Sequence, residues 1–301
     1  MIQKYRILGF ALLLIGICFL FFAPFEMYCL YLFSEGGKFY YEGFRFGSFM
    51  FGSISSQVVG YLFIGTILSI VGYGHIKLSS WVRQFTISLL YSWLIVGLPV
   101  SLIFMFMLLA SKDVSVYLTY STIIVLILLY FVLPFLIIKH YKNNKAVSVF
   151  ITQKYPNFIE SIPIELSTSN IVSIYFIVID LLLIAFNCVF PLFGSIVIGR
   201  MGLYIIEINI ALLSIIIIGT TKKKRWALLI SIIYYGLLFV SILITFIKNN
   251  YFSLLKALNF PEREVEFLKG IPLKSYQIIL IVSIPIIFEI INRIFSKDNY
   301  K

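Results

Sequence analysis

The sequence predicts an all-α, polytopic membrane protein with eight transmembrane helices, arranged as two tandem four-helix units in parallel orientation. Three observations lead to this fold class: the composition, the number of long apolar segments, and a short motif that occurs twice. Of the 301 residues, 61% are hydrophobic and only 12% are charged, and the mean hydropathy is +1.02. Such a chain has too few polar side chains to cover a water-soluble particle, so we expect lipid to be its solvent.

Eight segments are long and apolar enough to cross a bilayer. A spanning helix needs about 20 mostly apolar residues, because its backbone amides must find their hydrogen bonds within the segment. Continuous apolar runs such as ALLSIIIIG favour helices over the alternating strands of a membrane barrel. The predicted limits are 7–25, 57–74, 85–109, 117–138, 171–190, 203–220, 226–247 and 277–294.

The basic residues predict the orientation, because lysine and arginine near membrane ends are retained on the cytoplasmic face. With the N-terminus inside, fifteen of the 24 basic residues fall on the inner side, and the even number of spans brings the C-terminus to the same side. We therefore expect a multi-pass protein of the cell membrane with both termini cytoplasmic. The inner residues are Lys4, Arg6, Lys77, Arg83, Lys139, Lys142, Lys145, Lys154, Lys222, Lys223, Lys224, Arg225, Arg293, Lys297 and Lys301.

The motif Gly-x-x-Lys-x-x-x-Trp ends two apolar segments, as GHIKLSSW at 74–81 and as GTTKKKRW at 219–226. We expect the glycine to end the helix, the lysine to meet inner headgroups and the indole to lie at the interface. The predicted interfacial anchors are therefore Lys77, Trp81, Lys222 and Trp226.

The two motifs are 145 residues apart (219 minus 74), which indicates an internal repeat. A second pair of matching positions supports the repeat, although its spacing is different. Pro24 and Pro191 are 167 residues apart (191 minus 24) and are expected at the outer ends of the first and fifth helices. Because each unit has four helices, two copies would share one orientation. The predicted organisation is a first membrane unit at 1–138, a cytoplasmic linker at 139–170 and a second membrane unit at 171–301.

The outer loops of the two units differ. Residues 26–56 are rich in phenylalanine and tyrosine and are predicted to lie at the outer interface or to cap the bundle. The second long outer loop covers 248–276, where a short helix is expected from near Pro261 to about Gly270, with early glutamates.

Ionisable side chains inside a membrane are costly and often functional. The sequence predicts a polar cluster in the outer half of the second unit that binds an ion or a small polar ligand. The alternative is an internal salt bridge that fixes the fifth helix against the sixth. Glu289 and Arg293 are four residues apart and are expected to neutralise each other. The residues of the predicted cluster are Asp180, Asn187, Arg200, Tyr204 and Glu207.

Other chemistry has little support in the sequence. Cys18, Cys29 and Cys188 lack metal-ligand spacing, and His75 and His140 fall at predicted inner helix ends, where water can hydrate them. The sequence contains no HExxH, GxSxG, P-loop or GxGxxG motif. We therefore expect no bound metal or cofactor. The net charge of +11 is explained by basic inner loops that lie beside anionic lipids. The expected partners are therefore membrane lipids and other membrane-protein subunits. Nucleic acid is not an expected partner.

The sequence favours a non-enzymatic membrane protein that serves as a scaffold, an assembly factor or a subunit of a larger complex. One alternative is a small-solute transporter or an ABC-type permease component that uses the interface between repeats as its pathway. Another comes from RMGLYIIE at 200–207, which resembles the Arg-x-x-x-Tyr entrance of a late helix in EpsG-like polysaccharide polymerases. That resemblance implies an enzyme that joins lipid-linked oligosaccharides, with Arg200 essential.

Overall fold

The computed structural model describes residues 2–41, 44, 48–110, 115–143, 148–150, 166–198, 202–269 and 275–296. Over these residues it confirms the helical membrane fold, with eight helices that are long and apolar enough to cross a bilayer. The spans are α1 (Ile2–Phe33), α2 (Phe49–Lys77), α3 (Val82–Ala110), α4 (Val116–Lys142), α5 (Thr168–Asn187), α6 (Leu203–Thr221), α7 (Arg225–Lys248) and α10 (Ser275–Phe295). The shorter elements are β1 (Val189–Leu192), β2 (Ser195–Ile198), α8 (Tyr251–Ala257) and α9 (Glu262–Lys269).

The first two helices extend beyond their predicted outer limits. Since α1 runs to Phe33 and α2 begins at Phe49, much of the aromatic segment 26–56 is helical. Ser48 caps α2, because its hydroxyl accepts a hydrogen bond from the Phe51 amide at 3.4 Å. Aromatic side chains suit the interfacial zone, which lets these helices project past the hydrocarbon core. The expected short helix after Pro261 is present as α9, and α8 before it was not predicted.

Glycines bring the backbones of α1 and α2 into direct contact. Gly9 faces Gly72 and Gly16 faces Gly65, in antiparallel register and seven residues apart on each helix. A methyl group on Gly9 would lie 2.7 Å from the carbonyl oxygen of Gly72, and one on Gly16 would lie 2.8 Å from that of Gly65. Small residues allow this close approach, which is how helices associate in lipid without a hydrophobic driving force.

A π-helical turn interrupts α4 at Leu128–Val132, just before Pro134. Proline lacks the amide hydrogen that would continue the α-helical ladder, and a local change of helix type accommodates that loss. The turn also places Tyr130 against α3, where its ring stacks on Trp93 at 5.3 Å and covers Gly97.

The helix α5 lies at the centre of the bundle. It packs against α2 and α3 of the first predicted unit and against α6 and α10 of the second. A second contact between the halves joins α10 to α3. The predicted division at 139–170 stays a prediction, because α4 continues to Lys142 and residues 144–147 and 151–165 lie outside the described part of the chain.

A β-hairpin follows α5 where the prediction continued the helix to residue 190. The helix ends at Asn187, and β1 pairs with β2 in antiparallel register. Pro191 cannot continue a helical ladder. The two turn residues, Phe193 and Gly194, have φ of 40° and 110°, the positive values that a tight two-residue hairpin turn requires.

The hairpin is fixed to the outer end of α7 by hydrogen bonds to backbone groups that its strands leave unpaired. The Phe193 amide donates to the Ser241 hydroxyl at 2.9 Å, and the Gly194 amide donates to the Thr245 hydroxyl at 3.0 Å. The Asn249 side chain donates to the Gly194 carbonyl at 2.8 Å. Ser241 and Thr245 are four residues apart and share one face of α7, and Asn249 follows directly after the end of the helix.

The two predicted turns have the same local structure. Leu78 and Lys223 both adopt the left-handed conformation, with φ of 54° and 53°. Three backbone hydrogen bonds recur at a spacing of 145 residues. The amides of Ser79 and Lys224 donate to the carbonyls of Gly74 and Gly219, both at 2.9 Å. The amides of Leu78 and Lys223 donate to the carbonyls of His75 and Thr220, at 3.1 and 3.0 Å. The amides of Val82 and Ala227 donate to the carbonyls of Ser79 and Lys224, at 3.2 and 3.0 Å.

The glycine has a different role from the predicted one. It does not end the helix, since α2 continues to Lys77 and α6 to Thr221. Instead it leaves room for the indole that follows the turn. A methyl group on Gly74 would lie 2.8 Å from Cη2 of Trp81, and one on Gly219 would lie 2.5 Å from Cη2 of Trp226.

The structural match between the two turns does not extend to the predicted pairing of Pro24 with Pro191. Pro24 lies inside α1, whereas Pro191 lies in β1. The two prolines therefore occupy different structures. The tandem arrangement of two parallel units stays a prediction that rests on the turns.

Candidate functional site

A buried polar cluster joins four helices of the second half of the chain. With 1.5 Å of rise per residue, it extends from the inner end of α5 to about the middle of the bundle, in the predicted orientation. Polar side chains at this depth are costly unless they bond to one another. The cluster consists of Ser169, Ser173 and Asp180 on α5, Thr220 on α6, Tyr235 on α7, and Glu289, Asn292 and Arg293 on α10.

An ion pair on α10 is the most deeply enclosed part of this cluster. Arg293 Nε donates to Glu289 Oε1 at 2.8 Å, and both side chains are fully buried. Arg293 Nη1 also donates to the Thr220 hydroxyl at 3.1 Å. The spacing of four residues predicted this pair. No pattern indicated that Thr220, which belongs to the second turn motif, would also bond to Arg293.

Hydrogen bonds from Asn292 connect the ion pair to the central helix. Its amide donates to the Ser169 carbonyl at 3.1 Å and to the Ser173 hydroxyl at 2.8 Å. The Ser169 hydroxyl donates in return to the Asn292 carbonyl oxygen. These bonds fix the inner end of α10 to the inner end of α5.

The carboxylate of Asp180 accepts a hydrogen bond from the Tyr235 hydroxyl, with a distance of 2.8 Å between the oxygens. Asp180 is half-buried and Tyr235 is buried. The bond connects α5 to α7, whereas the predicted alternative was a salt bridge between the fifth and sixth helices. No sequence pattern distinguishes Tyr235 from the adjacent Tyr234, so this partner was not predicted.

The other members of the predicted ligand cluster lie apart from Asp180. Asn187 donates to the Ser56 hydroxyl at 3.0 Å and accepts from Ser55, which ties the outer end of α5 to α2. Tyr204 and Glu207 are exposed on the outside of α6. Arg200 lies outside the described residues. Among the members that are described, the structure does not assemble one site.

The predicted interfacial anchors lie at or beside helix ends, on the side that the predicted orientation makes cytoplasmic. Lys77 and Lys222 are exposed, and Lys77 Nζ lies 5.9 Å from the centre of the Tyr73 ring. Trp81 is half-buried, and Trp226 is 42% exposed. The role of these four residues as interfacial anchors stays a prediction.

A second polar group lies at the inner end of the first half in the predicted orientation, and it contradicts the expected hydration for His75 but not for His140, which is exposed. His75 is fully buried, and its Nδ1 donates to the Val71 carbonyl at 2.7 Å. Its Nε2 therefore accepts from the Tyr141 hydroxyl at 2.6 Å, as a neutral imidazole does. Nearby, the Tyr5 hydroxyl bonds to His140 Nε2 at 3.0 Å. Both histidines thus have protein partners.

The geometry of the two polar groups is suited to holding helices together. Within the described ranges, no three histidine, cysteine, aspartate or glutamate side chains are grouped so that they could hold a metal ion. No family model, curated protein or solved structure matches the chain.

Proposed function

We propose that this multi-pass membrane protein is a non-enzymatic scaffold, or a subunit, of a larger membrane complex. The ionisable groups inside the second half of the bundle support this proposal because they bond to side chains of the same chain. Glu289 pairs with Arg293, and the Asp180 carboxylate accepts from Tyr235. Such contacts stabilise a bundle and are common between membrane helices.

The observation that carries the proposal is an exposed acidic residue on a spanning helix. Glu207 lies four residues into α6, about 6 Å along the helix, and is exposed beside Tyr204, which is 79% exposed. The same surface continues inward as an apolar face that includes Ile208, Ile215 and Ile218. A carboxylate that faces lipid is unfavourable, and a neighbouring subunit with a cation or a donor at this depth removes that cost.

The proposal is tested by isolating the tagged, full-length protein from its native membrane in a mild detergent. We expect stoichiometric membrane partners with the wild type and a loss of at least tenfold in partner recovery with Glu207→Leu. The matched control is Glu262→Leu, which removes an exposed acid from α9 outside the spans and leaves recovery unchanged. A wild-type protein that purifies as a monomer without partners refutes the proposal, as does equal recovery with both variants.

A transporter or permease component is the second candidate. It is supported by the position of Asp180, a half-buried carboxylate that lies among spanning helices and near the middle of its own span. Ionisable residues at such positions mark the substrate pathways of many carriers. In proteoliposomes, Asp180→Asn should abolish uptake of radiolabelled sodium, rubidium or phosphate, and Tyr234→Phe should not. Flux at the wild-type level with Asp180→Asn together with Glu207→Gln excludes this role.

The polysaccharide polymerase is the third candidate and rests on the resemblance at 200–207. It requires Arg200 to bind the lipid-linked sugar. Replacement by alanine should then shorten surface glycans and cause lipid-linked precursors to accumulate. Unchanged glycan length with Arg200→Ala excludes the polymerase.

A further inference from the structure

A large apolar cavity lies near the inner end of the first half of the bundle. Its volume is about 690 Å³, within the range of small-molecule binding sites. Four helices line it: α1, α2, α3 and α4. Eight of its thirteen lining residues are leucine, isoleucine or valine. An apolar cavity of this kind favours an apolar occupant over ordered water, and a bilayer supplies alkyl chains at its opening.

The cavity opens sideways between α1 and α4. Lys4 and Leu8 on α1, and Leu136 and His140 on α4, line it and are exposed. Its inner wall includes Val71, which is buried. The opening therefore faces the surface at which lipids of the inner leaflet contact the protein, in the predicted orientation.

The charge at the opening is positive. Lys4 lies at the edge of the cavity, and Lys139 is exposed on α4 next to the lining residue His140. Each basic residue close to an anionic leaflet contributes about 1 kcal/mol of attraction. The polar end of the cavity is thus complementary to a phosphate headgroup, and its deeper part is complementary to an alkyl chain.

The depth of the cavity fits one end of a lipid. Along α1 the lining extends from Lys4 to Leu12, which is about 12 Å at the rise of an α-helix. This distance leads from the level of the inner headgroups into the hydrocarbon region, whose total thickness is about 30 Å. An occupant therefore has its charged group at Lys4 and its alkyl chain beside Leu12 and Leu89.

We infer that this cavity is a specific site for one anionic glycerophospholipid of the inner leaflet, with an acyl chain in the cavity and the phosphate at Lys4. The Tyr5–His140 hydrogen bond holds α1 to α4 beside the opening. The bound lipid fills the space between the helices and so contributes to their packing. This site is separate from the exposed face of α6, and it does not depend on the proposed role in a complex.

The experiment uses the full-length protein, reconstituted in nanodiscs with equal amounts of phosphatidylglycerol and phosphatidylcholine. After extraction into mild detergent, the retained lipid is measured by mass spectrometry. We expect about one phosphatidylglycerol per chain and little phosphatidylcholine. Equal retention of both lipids, or recovery of free fatty acid without phospholipid, overturns the inference and needs no variant.

Two variants separate the acyl-chain site from the headgroup site. Leu89→Trp fills the cavity and should remove the retained lipid, whereas Lys4→Gln should keep a lipid but lower the preference for phosphatidylglycerol about fivefold. The matched control is Leu14→Trp, which adds the same bulk at an α1 position that is 63% exposed and outside the cavity lining. Retention at the wild-type level by monodisperse Leu89→Trp protein overturns the inference. If Leu89→Trp does not fold, the wild-type measurement decides alone.

Discussion

Replacing Gly72 by alanine should push α1 and α2 apart, because the new methyl group would meet backbone atoms that cannot rotate away. It would lie 2.5 Å from the Leu13 amide nitrogen, 2.8 Å from the Gly9 carbonyl oxygen and 2.9 Å from Leu13 Cα. Ordinary contacts of a Cβ atom are 3.4–4 Å, so the helices must separate by roughly 1 Å at this point. Overpacking of this kind costs about 1–3 kcal/mol.

Gly60 provides the matched control on the same helix, since a methyl group there has nothing within 4 Å. Both substitutions gain the helix propensity of alanine, so the difference between the two variants isolates the clash. Unfolding free energies are measured by titrating the purified protein with sodium dodecyl sulfate and following tryptophan fluorescence. We expect Gly72→Ala to be less stable than Gly60→Ala by about 1–3 kcal/mol. Equal stability of the two variants refutes the close packing of α1 on α2.

Three further predictions concern the second half of the chain. Arg293→Leu leaves the Glu289 carboxylate buried without its cation, so it should lower the unfolding free energy in the same titration by about 3–5 kcal/mol. The double variant with leucine at both 289 and 293 should lose less stability, because no buried charge is left unpaired. Tyr235→Phe removes a donor from a half-buried carboxylate and should cost about 1–3 kcal/mol, whereas Tyr234→Phe, whose hydroxyl has no partner among the described atoms, should be close to neutral. Burial raises the pKa of the Cys188 thiol, so its thiolate forms at higher pH in the folded protein, and the pH profile of maleimide labelling should shift upward relative to the unfolded chain.

Each of these predictions has a contrary result. If the double variant at 289 and 293 is as unstable as Arg293→Leu alone, the cost does not come from an unpaired carboxylate. If the tyrosine variants at 234 and 235 have equal stability, the hydrogen bond to α5 contributes nothing measurable. If Cys188 is labelled at the same pH in folded and unfolded protein, the thiol is not shielded.

The spans were predictable because length and hydropathy are local properties of the sequence. The eight predicted segments correspond to eight helices, and α9 begins just after Pro261, as the helix-start signals indicated. The ends were less predictable on the outer side, where interfacial aromatics in α1 and α2 continue a helix that a hydropathy criterion alone would stop. The hairpin at 189–198 was missed because its apolar residues have no alternation to distinguish a short strand from the end of a helix.

The partners of the polar residues depend on tertiary packing, and most of them could not be predicted. The Glu289–Arg293 pair could, because both residues lie on one helix at a spacing of four. Asp180 and Asn187 share a face by their spacing of seven, yet one bonds to α7 and the other to α2, because different neighbours pack at different depths. Periodicity gives the face of a helix, but it does not give the neighbour that meets that face at each level.

The contact of α1 with α2 has a consequence for how the protein is made. These helices precede α3 and α4 in the chain, and the residues through which they meet all lie between Ile2 and Lys77. The pair can therefore close in the bilayer while the remaining spans are still being synthesised. The cavity then forms only when α3 and α4 arrive against an existing helical hairpin, so the order of translation is also the order in which its walls are built.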